Sequence, residues 1–155
     1  TYDRLSHAEP RGFAPSGGYA PAWPFGHGLS YTTFAYAAPT LDRVRAGASD
    51  TVTVTIPVTN TGARAGEEVV QLYSRQRYAA PVSPAVRRLR AFTRVALAPG
   101  ERRLVTLRVA ASDLALVGRD GRARLVPGEV ELITGPGAAA NDATHLAVLT
   151  LEGAP

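Results

Sequence analysis

Thr51-Val52-Thr53-Val54-Thr55-Ile56-Pro57-Val58-Thr59 decides the fold. Val52, Val54, Ile56 and Val58 alternate with Thr51, Thr53, Thr55 and Pro57. A period of two places the aliphatic set on one buried face of a strand and the threonines on the other. Pro57 has no N–H to give to a ladder, so the strand is expected at a sheet edge or bulged there. Asn60-Thr61-Gly62 then supplies a turn.

Working outward, residues 68–75 form the next strand. Val69, Val70, Leu72 and Tyr73 put apolar groups on both of its faces, which predicts neighbours above and below. Pro81 and Pro84 mark a long loop. Strands over 89–97 and 103–109 follow, and facing their inward sides pairs Val95 with Val105, Thr93 with Leu107 and Ala91 with Val109. That register leaves a hairpin loop over residues 98–102. Residues 112–117 are ambiguous, with Ser112 or Asp113 able to cap one helical turn. A charged turn over 118–124 contains Asp120-Gly121, and strands over 129–134 and 145–151 close the chain. About seven short strands without a long helix predict an all-β fold: an antiparallel β-sandwich of the immunoglobulin or fibronectin type III kind, with an extended N-terminal segment.

That segment differs from the rest. Residues 11–28 combine Pro15, Pro21 and Pro24 with five glycines and with Phe13, Tyr19, Trp23, Phe25 and His27. Such a stretch sustains neither a helix nor a central strand, yet its rings call for a surface to lie against. The 155 residues exceed the roughly 100 of a simple sandwich. The chain carries no Met, a starter included, and this reads as a piece of a longer polypeptide. Any targeting segment would lie upstream of Thr1, so the compartment stays unknown.

Composition excludes several chemistries. There is no Cys, hence no disulfide framework, thiolate metal site or cysteine nucleophile. Apolar runs such as Val95-Ala96-Leu97-Ala98 fall far short of the roughly 18–20 residues of a membrane span. Paired carboxylates are sought first, because hydrolysis of a glycosidic bond needs two of them flanking one atom. The only adjacent acids, Glu67 and Glu68, point to opposite faces of a strand and read as solvated residues at its start. His7, His27 and His145 have no metal-ligand spacing, and no metal or cofactor is expected. Gly26-His27-Gly28 lacks the strand and helix of a nucleotide loop, so His27 reads as a structural residue in a tight glycine turn.

All 17 basic residues are Arg, giving a net charge of +4. Arg88, Arg90 and Arg94 are expected to share a strand face with Phe92, with Arg87, Arg102, Arg103 and Arg108 nearby in sequence. Such a surface could bind nucleic acid. However, +4 is an ordinary excess for a chain of this length, so no nucleic-acid partner is expected.

Pro24-Phe25-Gly26-His27-Gly28-Leu29-Ser30-Tyr31-Thr32-Thr33-Phe34 resembles the segment that opens the C-terminal fibronectin type III-like domain of family 3 glycoside hydrolases, the β-glucosidase and β-xylosidase group. Val58-Thr59-Asn60-Thr61-Gly62, Gly66-Glu67-Glu68-Val69-Val70-Gln71-Leu72-Tyr73, Leu89-Arg90-Ala91-Phe92 with Val95 to Glu101, and Pro127 to Leu132 followed by Gly135 resemble its later signatures in order. The resemblance implies that residues 1–20 connect to an upstream catalytic domain and that 21–155 form the sandwich. It also implies that the catalytic Asp and Glu lie in that upstream part, so no catalytic residue is carried onto this chain.

On this reading the chain is a non-catalytic accessory module that stabilises or docks on the catalytic domains of the same polypeptide. Trp23, Phe25, His27, Tyr31 and Phe92 are the candidate docking residues, across an interface of roughly 600–1,500 Å². The rival place for Tyr31 and Phe34 is the module's own core. The alternative function is a carbohydrate-binding module stacking sugars on Tyr19, Trp23 and Tyr78.

Overall fold

The computed structural model describes residues 26–76, 87–137 and 145–153. Strands β1 (Phe34–Tyr36), β2 (Thr40–Leu41), β3 (Arg45–Ala46), β4 (Thr51–Asn60), β5 (Gly66–Arg75), β6 (Arg88–Leu97) and β7 (Arg102–Ala110) precede a single 3-10 turn, Ala111–Leu114. They are followed by β8 (Leu116–Val117), β9 (Ala123–Arg124), β10 (Gly128–Gly135) and β11 (His145–Leu151). Two sheets face each other across one core. In the first, β4 lies between β7 on one side and β1 and β2 on the other; the second runs β3-β11-β10-β5-β6. The β8–β9 pair closes over the turn that contains Asp120-Gly121.

The core follows from the alternation. Val52, Val54, Ile56 and Val58 are fully buried on β4, joined by Val105, Leu107 and Val109 of β7. The opposite sheet contributes Val70, Leu72, Val130, Leu132, Leu149 and Leu151. Each such side chain is worth about 1.5–3 kcal/mol on burial, so these residues dominate the stability of the sandwich.

Three sequence expectations are corrected. Pro57 does not mark an edge, because β4 is paired on both sides. Its carbonyl accepts from Ala37 N at 3.1 Å, and the position of the missing N–H faces residues 37–39, where the neighbouring strand is interrupted between β1 and β2. The break in the neighbour, rather than an edge, accommodates the proline.

The expected hairpin between β6 and β7 does not form: β6 pairs with β5 and β7 with β4, in opposite sheets. Residues 98–101 instead turn a corner from one sheet to the other. Asn60 holds that corner, its N–H donating to Glu101 O and its carbonyl accepting from Gly100 N, each at 3.0 Å. Period-two patterning points Val95 and Val105 at the same core in either arrangement, so alternation alone cannot separate a hairpin from a sheet-crossing corner.

The third correction is smaller. Neither Ser112 nor Asp113 caps the 3-10 turn; its N-cap is the extended residue Ala110, with no side-chain capping bond.

A clamped arch over the five-stranded sheet

The two outer faces differ in kind. On the four-stranded sheet, Thr53 stands opposite Arg108, Thr55 opposite Thr106 and Thr59 opposite Arg102. On the five-stranded sheet the cross-strand row Leu89, Tyr73, Ile133 and Leu146 is apolar across four strands. The adjoining row is Phe92, Gln71 and Gly135. Beyond it on the other side, Arg75 stands opposite Glu131 and is ion-paired to it at 2.6 Å.

Gln71 lies in the middle of this face and is buried, so its amide requires partners. It finds all of them. Oε1 accepts the hydroxyl of Tyr73, while Nε2 donates to Gly26 O at 3.2 Å and Pro136 O at 3.1 Å. Burial raises the Tyr73 phenol above its ordinary pKa, against the opposing pull of Arg87. Gly26 has φ +80°, and a Cβ there would collide with the Gln71 amide and lie 2.9 Å from Tyr73 Oη. The backbone approaches this face because residue 26 has no side chain.

A second clamp lies at the end of the sandwich. Asn60 is fully buried; Oδ1 accepts from Thr32 Oγ1 at 2.7 Å and Gly62 N at 3.0 Å, and Nδ2 donates to Arg64 O at 2.8 Å and Leu97 O at 3.1 Å. Thr61 N donates to Thr33 O at 2.8 Å. A Cβ on Gly62 would collide with Thr32 Oγ1, so a second glycine sets this approach.

Residues 26–33 are therefore an arch held at both ends. Between the clamps Leu29 is 90% and Tyr31 93% exposed. Along the first part of the arch lies an open groove of about 480 Å³, bounded by Gly26 to Ser30, Glu67, Val69, Gln71, Leu89, Phe92 and Pro136; Tyr31 does not line it. Phe92 is 66% exposed at its rim, and Glu67 pairs with Arg94 at 3.1 Å beside it.

Glu67 and Glu68 do point apart, but Glu68 is not simply solvated. It is half-buried and accepts the Tyr36 hydroxyl at 2.7 Å. Burial raises the Glu68 carboxyl above its ordinary range, partly offset by the Tyr36 hydrogen bond. Burial first, then the bond to Glu68 and its charge, drive the Tyr36 phenol up. The pair ties β1 to β5 across the two sheets.

Among the sequence candidates, His27, Tyr31 and Phe92 are all exposed and lie on or beside the arch. Trp23, Phe25, Tyr19 and Tyr78 lie outside the described residues. Phe34 packs against the core and Tyr31 does not, which answers the question of their place.

The shared face expected for Arg88, Arg90 and Arg94 with Phe92 is overturned by a bulge. The register shifts between Leu72 and Tyr73, leaving Arg90 as the extra residue of β6. Arg94 stays on the face of Phe92, opposite Val69. Arg88 stands opposite Ser74, and Arg90 Nε donates to Ser74 Oγ at 2.6 Å while its Nη1 donates to Asp113 O. Burial and the neighbouring Arg88 hold the Arg90 pKa below its ordinary value.

Sequence reasoning missed Asn60 and Gln71 as anchors. The available signal was a polar amide inside the apolar run 69–73, since such a residue is buried only with its bonds made. Among the described residues there is no cluster of His, Cys, Asp and Glu that could hold a metal ion, and no helix long and apolar enough to cross a membrane.

Residues 68–138 match the model of the fibronectin type III-like domain. The chain is 40% identical over 122 residues to a β-xylosidase of Formosa agariphila, covering 79% of this chain and 17% of that protein. It is 46% identical over 114 residues to a β-glucosidase of Rhizobium radiobacter, covering 73% of this chain and 14% of that protein. The solved structure of a β-glucosidase from Erythrobacter marinus superposes with a TM-score of 0.80 at 37% identity, over 92% of this chain and 18% of the other. The chain thus spans less than a fifth of the length of these relatives. With a two-sheet sandwich, the ordered motifs and these relatives in agreement, the chain is a fibronectin type III-like domain of the kind carried by family 3 β-glucosidases and β-xylosidases.

Proposed function

We propose that the chain is a non-catalytic accessory module that docks on and stabilises the catalytic domains of a family 3-type β-glycosidase, as part of the same polypeptide. The observation that carries this reading is the similarity to a β-xylosidase and a β-glucosidase confined to 17% and 14% of their lengths. The side chains support it. The one adjacent pair of acids is committed elsewhere, Glu67 to Arg94 and Glu68 to Tyr36, on opposite faces of β5. Hydrolysis of a glycosidic bond needs two carboxyl groups about 5–9.5 Å apart across one substrate atom, and this pair does not present that.

The test is an assay of the purified chain against aryl β-glucosides and β-xylosides, beside the parent polypeptide with and without this chain. The chain alone is expected to give no turnover, and its removal to lower the thermal midpoint of the parent. Turnover by the pure chain would overturn the reading.

A further inference from the structure

We infer that the end of the core beside the 3-10 turn holds one ordered water molecule, which bridges the Ser74 hydroxyl to the Gln76 amide oxygen. The site lies apart from the arch and its groove and does not depend on what the module docks against.

The inward face of β5 prepares it. Val70, Leu72 and Ser74 follow one another on that face, and Gln76, one position beyond the strand, continues the series. Ser74 and Gln76 are 5% and 6% exposed, so their polar atoms need partners. Gln76 Nε2 donates to Val126 O at 3.1 Å, which fixes the orientation of the amide. Gln76 Oε1 is buried as well, and no donor among the described residues reaches it. Ser74 Oγ accepts from Arg90 Nε at 2.6 Å, which leaves its own hydrogen to give. One side chain lacks a donor and its neighbour has one to spare.

A cavity joins them. Ser74, Gln76 and Arg90 border it, with Leu114, Leu116 and Val130 as its apolar wall. It measures about 10 Å³, room for a single water molecule. The charges and polar atoms around it select the occupant. Gln76 Oε1 calls for a donor, which excludes an anion, and the guanidinium groups of Arg88 and Arg90 beside it repel a cation. The smallest neutral molecule that both donates and accepts is water.

The water also completes a series of bonds. Arg90 Nη1 donates to Asp113 O in the 3-10 turn, and Arg90 Nε donates to Ser74. With the water in place, Ser74 donates to water, water to Gln76 and Gln76 to Val126, all in one direction. Bonds in such a chain polarise and strengthen one another. They tie the 3-10 turn, the bulge of β6 and the stretch before β10 to the end of β5. Two polar side chains can therefore close one end of an apolar core.

The test is a crystal structure of the full chain at a resolution that orders internal water. A peak of water height is expected within about 2.5–3.0 Å of both Gln76 Oε1 and Ser74 Oγ. A dry cavity, a protein donor on Gln76 Oε1, or a heavier peak ringed by oxygens alone, as a sodium ion would be, would overturn the assignment.

Urea unfolding of Ser74→Ala, Gln76→Met and the double variant supplies a readout in solution. The two side chains make no direct bond, and each change removes one end of the bridge. Each alone is expected to lower the folding constant by about tenfold, and both together by well under the roughly hundredfold of independent losses. Fully additive losses would break the bridge. The wild-type density decides the proposal whether or not either variant folds.

Discussion

The outer face of β4 and the outer face of β5 belong to strands of equal length in one sandwich, yet they obey different rules. On β4 the alternation is strict: fully buried Val52, Val54, Ile56 and Val58 point inward, and threonines point out. On β5 Val70, Gln71, Leu72, Tyr73 and Ser74 are buried in succession, so both faces are occupied. A solvated antiparallel sheet needs only one apolar face. A strand apolar on both sides needs something on its second side, and within the described residues part of that cover is the arch at Gly26.

The largest expected effect is common to both faces. Ile56→Ala empties a fully buried site between the sheets and is expected to cost about 2–5 kcal/mol in denaturant unfolding of the isolated chain. The next effect separates the faces. Gln71→Ala leaves the Tyr73 hydroxyl and the Gly26 and Pro136 carbonyls without their amide partner, at a cost of about 1–3 kcal/mol. Hydrogen exchange should rise around residue 26 while β4 keeps its protection. An unchanged exchange pattern would mean that Gln71 does not clamp the arch.

These two residues also mark what the sequence made legible. Ile56 announces itself through period two, as do the inward faces of β6 at Val95 and of β7 at Val105, Leu107 and Val109, because each face is fixed by burial. Which strands become neighbours is not written in the alternation. The β6–β7 corner depends on Asn60, whose bonds reach Thr32, Arg64, Leu97, Gly100 and Glu101 from distant parts of the chain. The bulge that parts Arg90 from Phe92 was hidden for a related reason: an extra residue leaves the composition of a strand unchanged and reverses its faces. Of the site, the exposed rings Tyr31 and Phe92 were legible as motif residues, while the clamps that present them were not.

A smaller effect is set by pH. Glu68 has a folded-state pKa raised above its ordinary value of 4.5, so between those two values the folded chain binds more protons than the unfolded one. Stability therefore falls as pH rises through that window, and the loss is complete above the folded value. Glu68→Gln keeps an acceptor for the Tyr36 hydroxyl and removes the titration. The wild-type thermal midpoint, followed from about pH 4 to about pH 7, should lose ground to that of the variant as pH rises. Parallel profiles would mean that the carboxyl is no more buried than the solvated Glu67 beside it.

The smallest expected effect is the most direct check on the contrast between the faces. Thr55 stands between Thr40 and Thr106 on the outer side of β4, with its inward neighbours Val54 and Ile56 already filling the core. Thr55→Arg adds a long side chain that can extend into water while its stem lies along the sheet, so the change is expected to stay within about 0.5 kcal/mol in the isolated chain. The same charge placed at Ile133, on the outer side of β10 and 4% exposed, has no such route to water and is expected to cost several kcal/mol as a buried unpaired ion. Equal tolerance of arginine at positions 55 and 133, read by urea unfolding, would mean that the second face of the five-stranded sheet is as solvated as the first.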